Sequence, residues 1–332
     1  QEALDTRIIT TISLVLFLLI TNILAALLAL RVSVTIPLGK ITEAVNHSSD
    51  KNLAEAEWQS KDEIGDLIKT YNEMVLEVNE NRKTLLDSIT FASLIQNSYL
   101  PVHKTSKLES YVIWKPRDVV SGDIFFWEER EDVSTFVVVD CTGHGVPGSI
   151  LAGIARSAFM SSNLLESKPG EILTEVNKFF LDMFETAKDD NFGTEVGFDC
   201  SICRVRKGSS IIEYAGARNS IFICKEEKIV ELKVDRRSIG QTKYGEFQFN
   251  SFETELEQGY IIMLTDGVID AVRVLGRPTT FGKKRLSDAI SVAIGQNETS
   301  PSKINESVMS KVESWVDGAA LRDDLTLLTV KK

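Results

Sequence analysis

Residues 137–149 read VVVDCTGHGVPGS, and this stretch decides how the larger part of the chain folds. Its valines favour a strand. Asp140 stands where that strand ends, and a Gly-His-Gly turn then leads into a helical apolar pattern over residues 149–165. The same device recurs along the chain. Residues 261–267 read IIMLTDG, an apolar run ending on Asp266. SGD at 121–123 puts Asp123 at the head of the run DIFFWEE, and RDDLTLL at 322–328 puts Asp323 ahead of the last apolar run. Any one of these aspartates alone reads as a turn residue or cap. Four of them abut strands, and Asp140 and Asp266 are each followed by a glycine within three residues, which permits close backbone approach to a ligand. Together they point to one rim site aimed from a rigid scaffold.

An oxygen-only set of this kind, with no His or thiolate partner, selects hard cations, Mg²⁺ or Mn²⁺. Two such ions sharing a carboxylate turn a bridging water into hydroxide near neutral pH, and that hydroxide attacks phosphorus in line.

Around these motifs lie β-rich runs at 111–114, 123–129, 134–140, 199–205, 220–225, 247–255, 260–266 and 324–330, several alternating with period two. Helical patterns occupy 149–165, 170–186, 283–294 and 302–316. Strands and helices arrive in blocks rather than as regular βαβ units, so the fold class is α+β, with antiparallel sheets and helices outside.

The chain's first third differs. Residues 8–30, IITTISLVLFLLITNILAALLAL, contain no charge and are bracketed by Arg7 and Arg31. A helix of that length rises about 35 Å and crosses a hydrocarbon core of about 30 Å. It is too long for the core of a cleaved signal peptide, and no small-residue cleavage site follows. The lead-in QEALDTR, without an initial Met, is expected to follow further upstream sequence, such as a sensor across the membrane. Beyond Arg31, Pro37 sits early in a helical stretch, a polar connector spans about 47–61, and DEIG opens another helix, with Asp62 as its cap. From there Ile64, Ile68, Tyr71, Val75, Val78, Arg82, Leu85, Ile89 and Ala92 step by fours and threes, broken by Arg82. This heptad seam suits a parallel dimer, or one amphipathic helix on a globular body. The order of membrane helix, proline, connector and DEIG resembles a HAMP domain. That resemblance implies a dimeric relay on the cytoplasmic face and places the rest of the chain in the cytoplasm, at the inner membrane. A relay-driven histidine kinase needs a phosphoacceptor; the nearby His103 follows Pro101, outside the seam, and no GxxxxGK loop is present.

SGD, VVVDCTGHGVPGS, EYAGARNS, IIMLTDGVIDA and RDDLTLL together resemble bacterial PPM-type protein phosphatases of the SpoIIE-like branch. Joined to a HAMP relay, the arrangement resembles SiaA-type membrane phosphatases. The resemblance implies an αββα sandwich with a binuclear Mn²⁺/Mg²⁺ centre. In it Asp140 is the bridging ligand and Cys141 gives its backbone carbonyl. Asp266 and Asp323 complete the second metal, and Asp123 is the acidic residue at the metal-bound waters, a ligand directly or through them. Asp324 competes with Asp323 for its role. The expected organisation is a membrane helix at 8–30, HAMP at 31–83, a helical linker at 84–108 and a phosphatase domain at 109–332. By the same resemblance, the substrate is a phosphorylated STAS-type partner-switching protein, and the chain is a homodimer through HAMP and coiled coil. The alternative is a catalytically silent dimeric signalling scaffold. A shift of the coiled coil is expected to move helix 149–165 and change metal occupancy.

Composition agrees. The 332 residues carry 48 acidic and 37 basic side chains, a net charge of -11, without a dense Lys/Arg block, which argues against nucleic acid. Cys141, Cys200, Cys203 and Cys224 are too few for a disulfide framework. Cys200 and Cys203, three apart on a strand, point to opposite faces. His144 is either a general acid or the residue that shapes the turn into the next helix. Arg117 is a substrate-phosphate ligand or a solvated side chain, and EYAGARNS is a turn between strands or a loop over the metals.

Overall fold

The computed structural model describes residues 2–49, 52–101, 108–184, 196–225, 228–241, 246–273, 278–295 and 300–332. The chain divides into two compact units, Gln1–Ser88 and Ile89–Lys332. His103 and residues 185–186 of the expected second helix lie outside the described residues.

In the first unit, α1 (Glu2–Leu30) passes through a π-helical turn, Arg31–Thr35, into α2 (Ile36–His47). This stretch is long and apolar enough to cross a membrane. The π-turn has a local cause. Pro37 lacks an N–H, and its ring crowds the carbonyl four residues back, so the backbone widens just before it. The Ile36 N–H accordingly donates to the Arg31 carbonyl, five residues back. The third helix, α3 (Glu63–Tyr99), opens where expected, with Asp62 Oδ1 accepting from the Gly65 N–H at 2.9 Å. The connector packs on α3 through a buried cluster of Ala44, Ala56 and Ile68, with Ile41, Trp58, Ile64 and Tyr71 beside it. Two asparagines seven residues apart fasten it. Asn72 exchanges hydrogen bonds with the backbone of Ala56, and Asn79 does the same with Leu53. The early seam positions Ile68 and Val75 are thus buried within the chain, while Val78 and Leu85 stay exposed.

The second unit is an α+β sandwich of two five-stranded antiparallel sheets. Sheet one holds β2 (Asp123–Arg130), β3 (Val133–Cys141), β4 (Phe198–Arg206), β5 (Ile211–Ala217) and β8 (Phe252–Glu255), in that order. Sheet two runs β1 (Ser110–Lys115), β12 (Leu325–Lys331), β9 (Tyr260–Leu264), β6 (Ile221–Lys225) and β7 (Lys228–Leu232). Helices α4 (Gly145–Ser161) and α5 (Pro169–Phe184) pack on the first sheet, and α7 (Gly282–Gly295) and α8 (Pro301–Val316) on the second. A short α6 (Asp266–Ile269) follows β9, and a small hairpin, β10 (Val272–Arg273) with β11 (Thr279–Thr280), follows it. This is the αββα layering that the motifs implied.

Phe126, Phe136, Phe159, Phe180 and Phe198 are fully buried in one core. Arg204 is buried too, and it is satisfied: its guanidinium donates to the carbonyls of Leu164 and Ser167 and pairs with Glu213 at 3.1 Å, tying the α4–α5 connection to β4. Several elements differ from expectation. The α4 helix begins at Gly145, because the His144 turn opens it directly. The run expected at 247–255 pairs only from Phe252. Before it, the Asn250 N–H donates to the Asp235 carboxylate and the Phe247 and Phe249 rings pack edge to face. β7, with the sequence KIVEL, is an edge strand whose mixed polarity hid it.

Candidate functional site

Strand register builds the site. Asp123, at the start of β2, lies directly opposite Asp140 near the end of β3, and Asp140 lies opposite Asp199 at the start of β4. Three carboxylates therefore form a row across adjacent strands, where like charges repel at roughly 4.5–5.5 Å between side-chain roots. The other sheet brings Asp266, one residue beyond the Thr265 that follows β9, and Asp323 and Asp324, just before β12. Gly267 is required here, because a side chain would run into the Asp324 carbonyl. The two sheets are stitched at this edge. Thr265 and Thr326 hydroxyls donate to Asp123 Oδ2 at 2.6 and 2.8 Å, and the Asp266 N–H donates to Asp140 Oδ2 at 3.3 Å.

The two candidates at 323 and 324 divide cleanly. Asp324 is buried, and both its oxygens accept backbone N–H groups, from Arg117 at 2.8 Å and Gly122 at 2.6 Å. It braces the loops. Asp323 is exposed, its Oδ1 accepting only from the N–H of Asp324 at 2.9 Å among the described bonds.

Electrostatics follow from this crowding. Burial, only partly offset by the two threonine hydroxyls, pushes the Asp123 carboxyl well above the usual carboxylate range. Burial and then the charges of Asp123, Asp266 and Asp199 do the same to Asp140. Burial, then Asp323, Asp270 and Asp199, raise Asp266 to about 6. A set of hard oxygen donors that resists ionisation by itself is a set that a divalent cation stabilises. Among the described residues no three His, Cys, Asp or Glu side chains already converge as a finished cage. The Cys141 thiol is buried and raised by burial and by Asp140, so it is no nucleophile, leaving its backbone as the part able to serve the site. Cys200 and Cys203 are both buried, because β4 is covered on both faces.

Sequence reasoning missed three features. Asp199 is one; the signal was GFDCSIC, an acidic residue at the head of an apolar run, as in SGD. Burial raises its carboxyl, against the pull of Ser238 and of the Arg218 guanidinium at 3.7 Å. Arg218, the basic residue of EYAGARNS, has φ +62, a left-handed conformation uncommon for a side-chain-bearing residue. A second is Asp118, whose Oδ2 lies 2.7 Å from His144 Nδ1 at the head of α4. The pair fixes which ring nitrogen is engaged and leaves Nε2 outward from it. The third is Gln96. It is buried in the last turns of α3, where its amide accepts from the Ser121 N–H at 2.9 Å and donates to the Ser121 carbonyl at 2.7 Å. Ser121 Oγ in turn accepts from the Asp123 N–H at 3.0 Å. Three residues on, the Tyr99 ring meets the Arg156 guanidinium of α4 at 5.9 Å. Arg117 does not reach out freely: its side chain donates to the Arg322 carbonyl at 2.9 Å.

Comparison with known proteins places this architecture. The family described as Stage II sporulation protein E (SpoIIE) matches residues 130–332. The SiaA-PP2C domain of Pseudomonas aeruginosa superposes with a TM-score of 0.67 at 27% identity, over 76% of this chain and 98% of that one. The PP2C phosphatase domain of SpoIIE from Bacillus subtilis, with a fragment of its regulatory domain, gives 0.55 at 13% identity, over 69% and 64%. The RsbU and RsbW domains of a Mycobacterium tuberculosis protein give 0.52 at 17% identity, over 68% and 60%. Among curated proteins there is no match.

Proposed function

The chain belongs to the SpoIIE family of PP2C-type serine/threonine phosphatases, and from that premise we propose that it removes phosphate from a phosphoserine or phosphothreonine of a partner-switching protein. The observation that carries this reading is the row Asp123–Asp140–Asp199, with the Asp266 N–H on Asp140 across the sandwich edge and the Asp323 charge acting on Asp266. PP2C phosphatases are metal-dependent. Two Mn²⁺ or Mg²⁺ ions, when bound, would activate a water and neutralise the phosphoryl oxygens. Asp140, central in the row, would hold both, with Asp266 and Asp323 on one side and the Cys141 carbonyl on the other. Thr265 and Thr326 fix Asp123 through its Oδ2, and Asp324 keeps the SGD loop against β12. Asp199 adds negative charge opposite Asp140 and keeps Arg218 at the rim.

The rest of the reading concerns placement. Residues 8–30 anchor the chain in the inner membrane, with the catalytic unit cytoplasmic. Residues 31–83 form a HAMP relay, and residues 84–108 link it to the phosphatase domain at 109–332. The chain pairs as a homodimer through HAMP and coiled coil. The substrate is a phosphorylated STAS-type protein, a reading supported by the likeness to a structure containing RsbU and RsbW domains. The relay acts on the site through α3 and α4; removing residues 1–80 is expected to change activity or dimerisation.

The test is direct. Residues 85–332 with Mn²⁺ are expected to hydrolyse p-nitrophenyl phosphate, and Asp140→Ala and Asp266→Asn to abolish it. No turnover, or turnover indifferent to both changes, would favour the silent scaffold. A phosphoproteomic comparison with an Asp266→Asn strain would then name the substrate.

A further inference from the structure

Beside the carboxylates lies a groove of about 310 Å³. Asp266 and Asp323 form one end of it. From there it runs between strands β10 and β11 and the loop that joins α8 to β12; Val272, Val316, Ala320 and Leu321 line it, with Asp270 and Arg322 among them. Its volume sits at the lower limit for ligand pockets, room for a few side chains and not for a folded element.

The hairpin wall is braced from behind. Trp315 of α8 is flanked by two guanidinium groups, Arg285 at 3.9 Å and Arg273 of β10 at 5.6 Å from its ring centre. Arg285 also donates to the carbonyls of Thr280 at 3.3 Å and Phe281 at 2.9 Å, and the Phe281 N–H donates to the Ala271 carbonyl at 2.8 Å. Stacked guanidinium–indole contacts hold such a segment in one place. The groove is therefore preformed, and it is continuous with the reactive end.

We propose that this groove is the specificity subsite for the polypeptide flanking the phosphorylated residue, and that it takes a small or medium apolar side chain next to the phosphoserine or phosphothreonine. The inference rests on the phosphatase reading above and adds to it which residues select the substrate. A phosphate held by the ions that Asp266 and Asp323 would bind must lead its chain away over some surface, and the groove begins at those two residues. Val272, Val316, Ala320 and Leu321 offer surface to an apolar neighbour, whereas an acidic one meets Asp266, Asp270 and Asp323 against the single cation Arg322. Because the groove excludes only what flanks the phosphate, it discriminates between phosphoproteins and is blind to a small phosphoester.

The test uses the full chain in detergent with Mn²⁺, p-nitrophenyl phosphate, and two phosphoserine peptides that differ only in having Val or Asp beside the phosphoserine. The wild type is expected to favour the Val peptide about tenfold in kcat/KM, the scale on which apolar pockets discriminate. Ala320→Trp, which fills the groove from an exposed position, and Val272→Asp, which changes its chemistry, are each expected to remove that preference through KM. The ratio of peptide to p-nitrophenyl phosphate kcat/KM should fall with it, and Val272→Ile should keep both. A wild type without preference, or variants that retain it, overturns the subsite. A wild type that turns over neither peptide nor p-nitrophenyl phosphate overturns the phosphatase reading instead, and the subsite with it.

Discussion

The two units place their apolar residues in opposite ways. In α1, residues such as Phe17, Leu18, Leu19 and Ile20 are each half exposed or more, and none of that span is buried within the chain. In the second unit, valines, isoleucines and phenylalanines of both sheets are almost wholly enclosed. At roughly 25 cal/mol per Å² of apolar surface removed from water, the second unit carries its own driving force for folding. The first encloses only the small cluster around Ala44, Ala56 and Ile68, and its α1 is long and apolar enough to cross a membrane. The chemistry is in the unit that stands by itself, and the dependence on context is in the other.

The sharpest way to break that contrast is at the carboxylates. Asp266→Asn in the full chain should lower kcat by at least about 100-fold, given that even a ligand's neighbours are worth about 10–100-fold, while circular dichroism stays near wild type and metal-free melting at pH 7 is no lower than wild type. Full activity in that variant would mean the chemistry lies elsewhere.

A smaller effect is expected at the joint between helix and loop. Gln96→Leu leaves the Ser121 N–H and carbonyl buried without partners, at a cost of about 1–3 kcal/mol. Since Ser121 also fixes the N–H of Asp123, the apparent Mn²⁺ affinity should weaken alongside the melting temperature. Unchanged metal affinity in a destabilised variant would reduce Gln96 to a packing residue.

Acid and base should act in an unusual direction on the metal-free protein. Asp266 has a folded value of about 6 against about 3.8 in the unfolded chain, so the fold prefers its protonated form. That contribution to stability is complete below about pH 4 and is lost as pH rises through about 6. Asp123 and Asp140 are shifted the same way. The metal-free protein should therefore melt a few degrees lower at pH 7 than at pH 5, and saturating Mn²⁺ should reverse the order, because ions bind the deprotonated carboxylates. A calorimetric series with and without chelator decides it.

The smallest expected change is in the helical unit. Leu85 is 64% exposed on α3. Leu85→Asp should leave p-nitrophenyl phosphate turnover within about twofold and the melting of the catalytic unit within about 0.5 kcal/mol, as for ordinary surface substitutions. Its effect belongs in sedimentation, as a shift toward smaller species. A monomeric wild type would remove the basis for pairing through this face.

What was legible follows from period and position. Asp123, Asp140, Asp266 and Asp323 were readable because each abuts an apolar run whose alternation announces a strand, and strand ends of one sandwich share an edge. Asp199 obeys the same rule but opens a run interrupted by cysteines and a serine, and nothing local says that β4 lies beside β3. Asp324 and Asp323 are adjacent, and only the N–H groups of Arg117 and Gly122, some 200 positions away, separate their roles. In the first unit the helix was legible from its spacing, yet spacing alone does not say what fills the seam. Asn72 and Asn79 direct its early part onto the chain's own connector. Gln96 was invisible for the same reason, since its partner is backbone rather than a recognisable side chain.

The π-helical turn at Arg31–Thr35 makes the junction after α1 a screw-thread fault. One surplus residue is wound into the thread there. An α-helix advances about 100° per residue, so gaining or shedding that surplus would swing the azimuth of Pro37 and all that follows by roughly that angle with almost no axial travel.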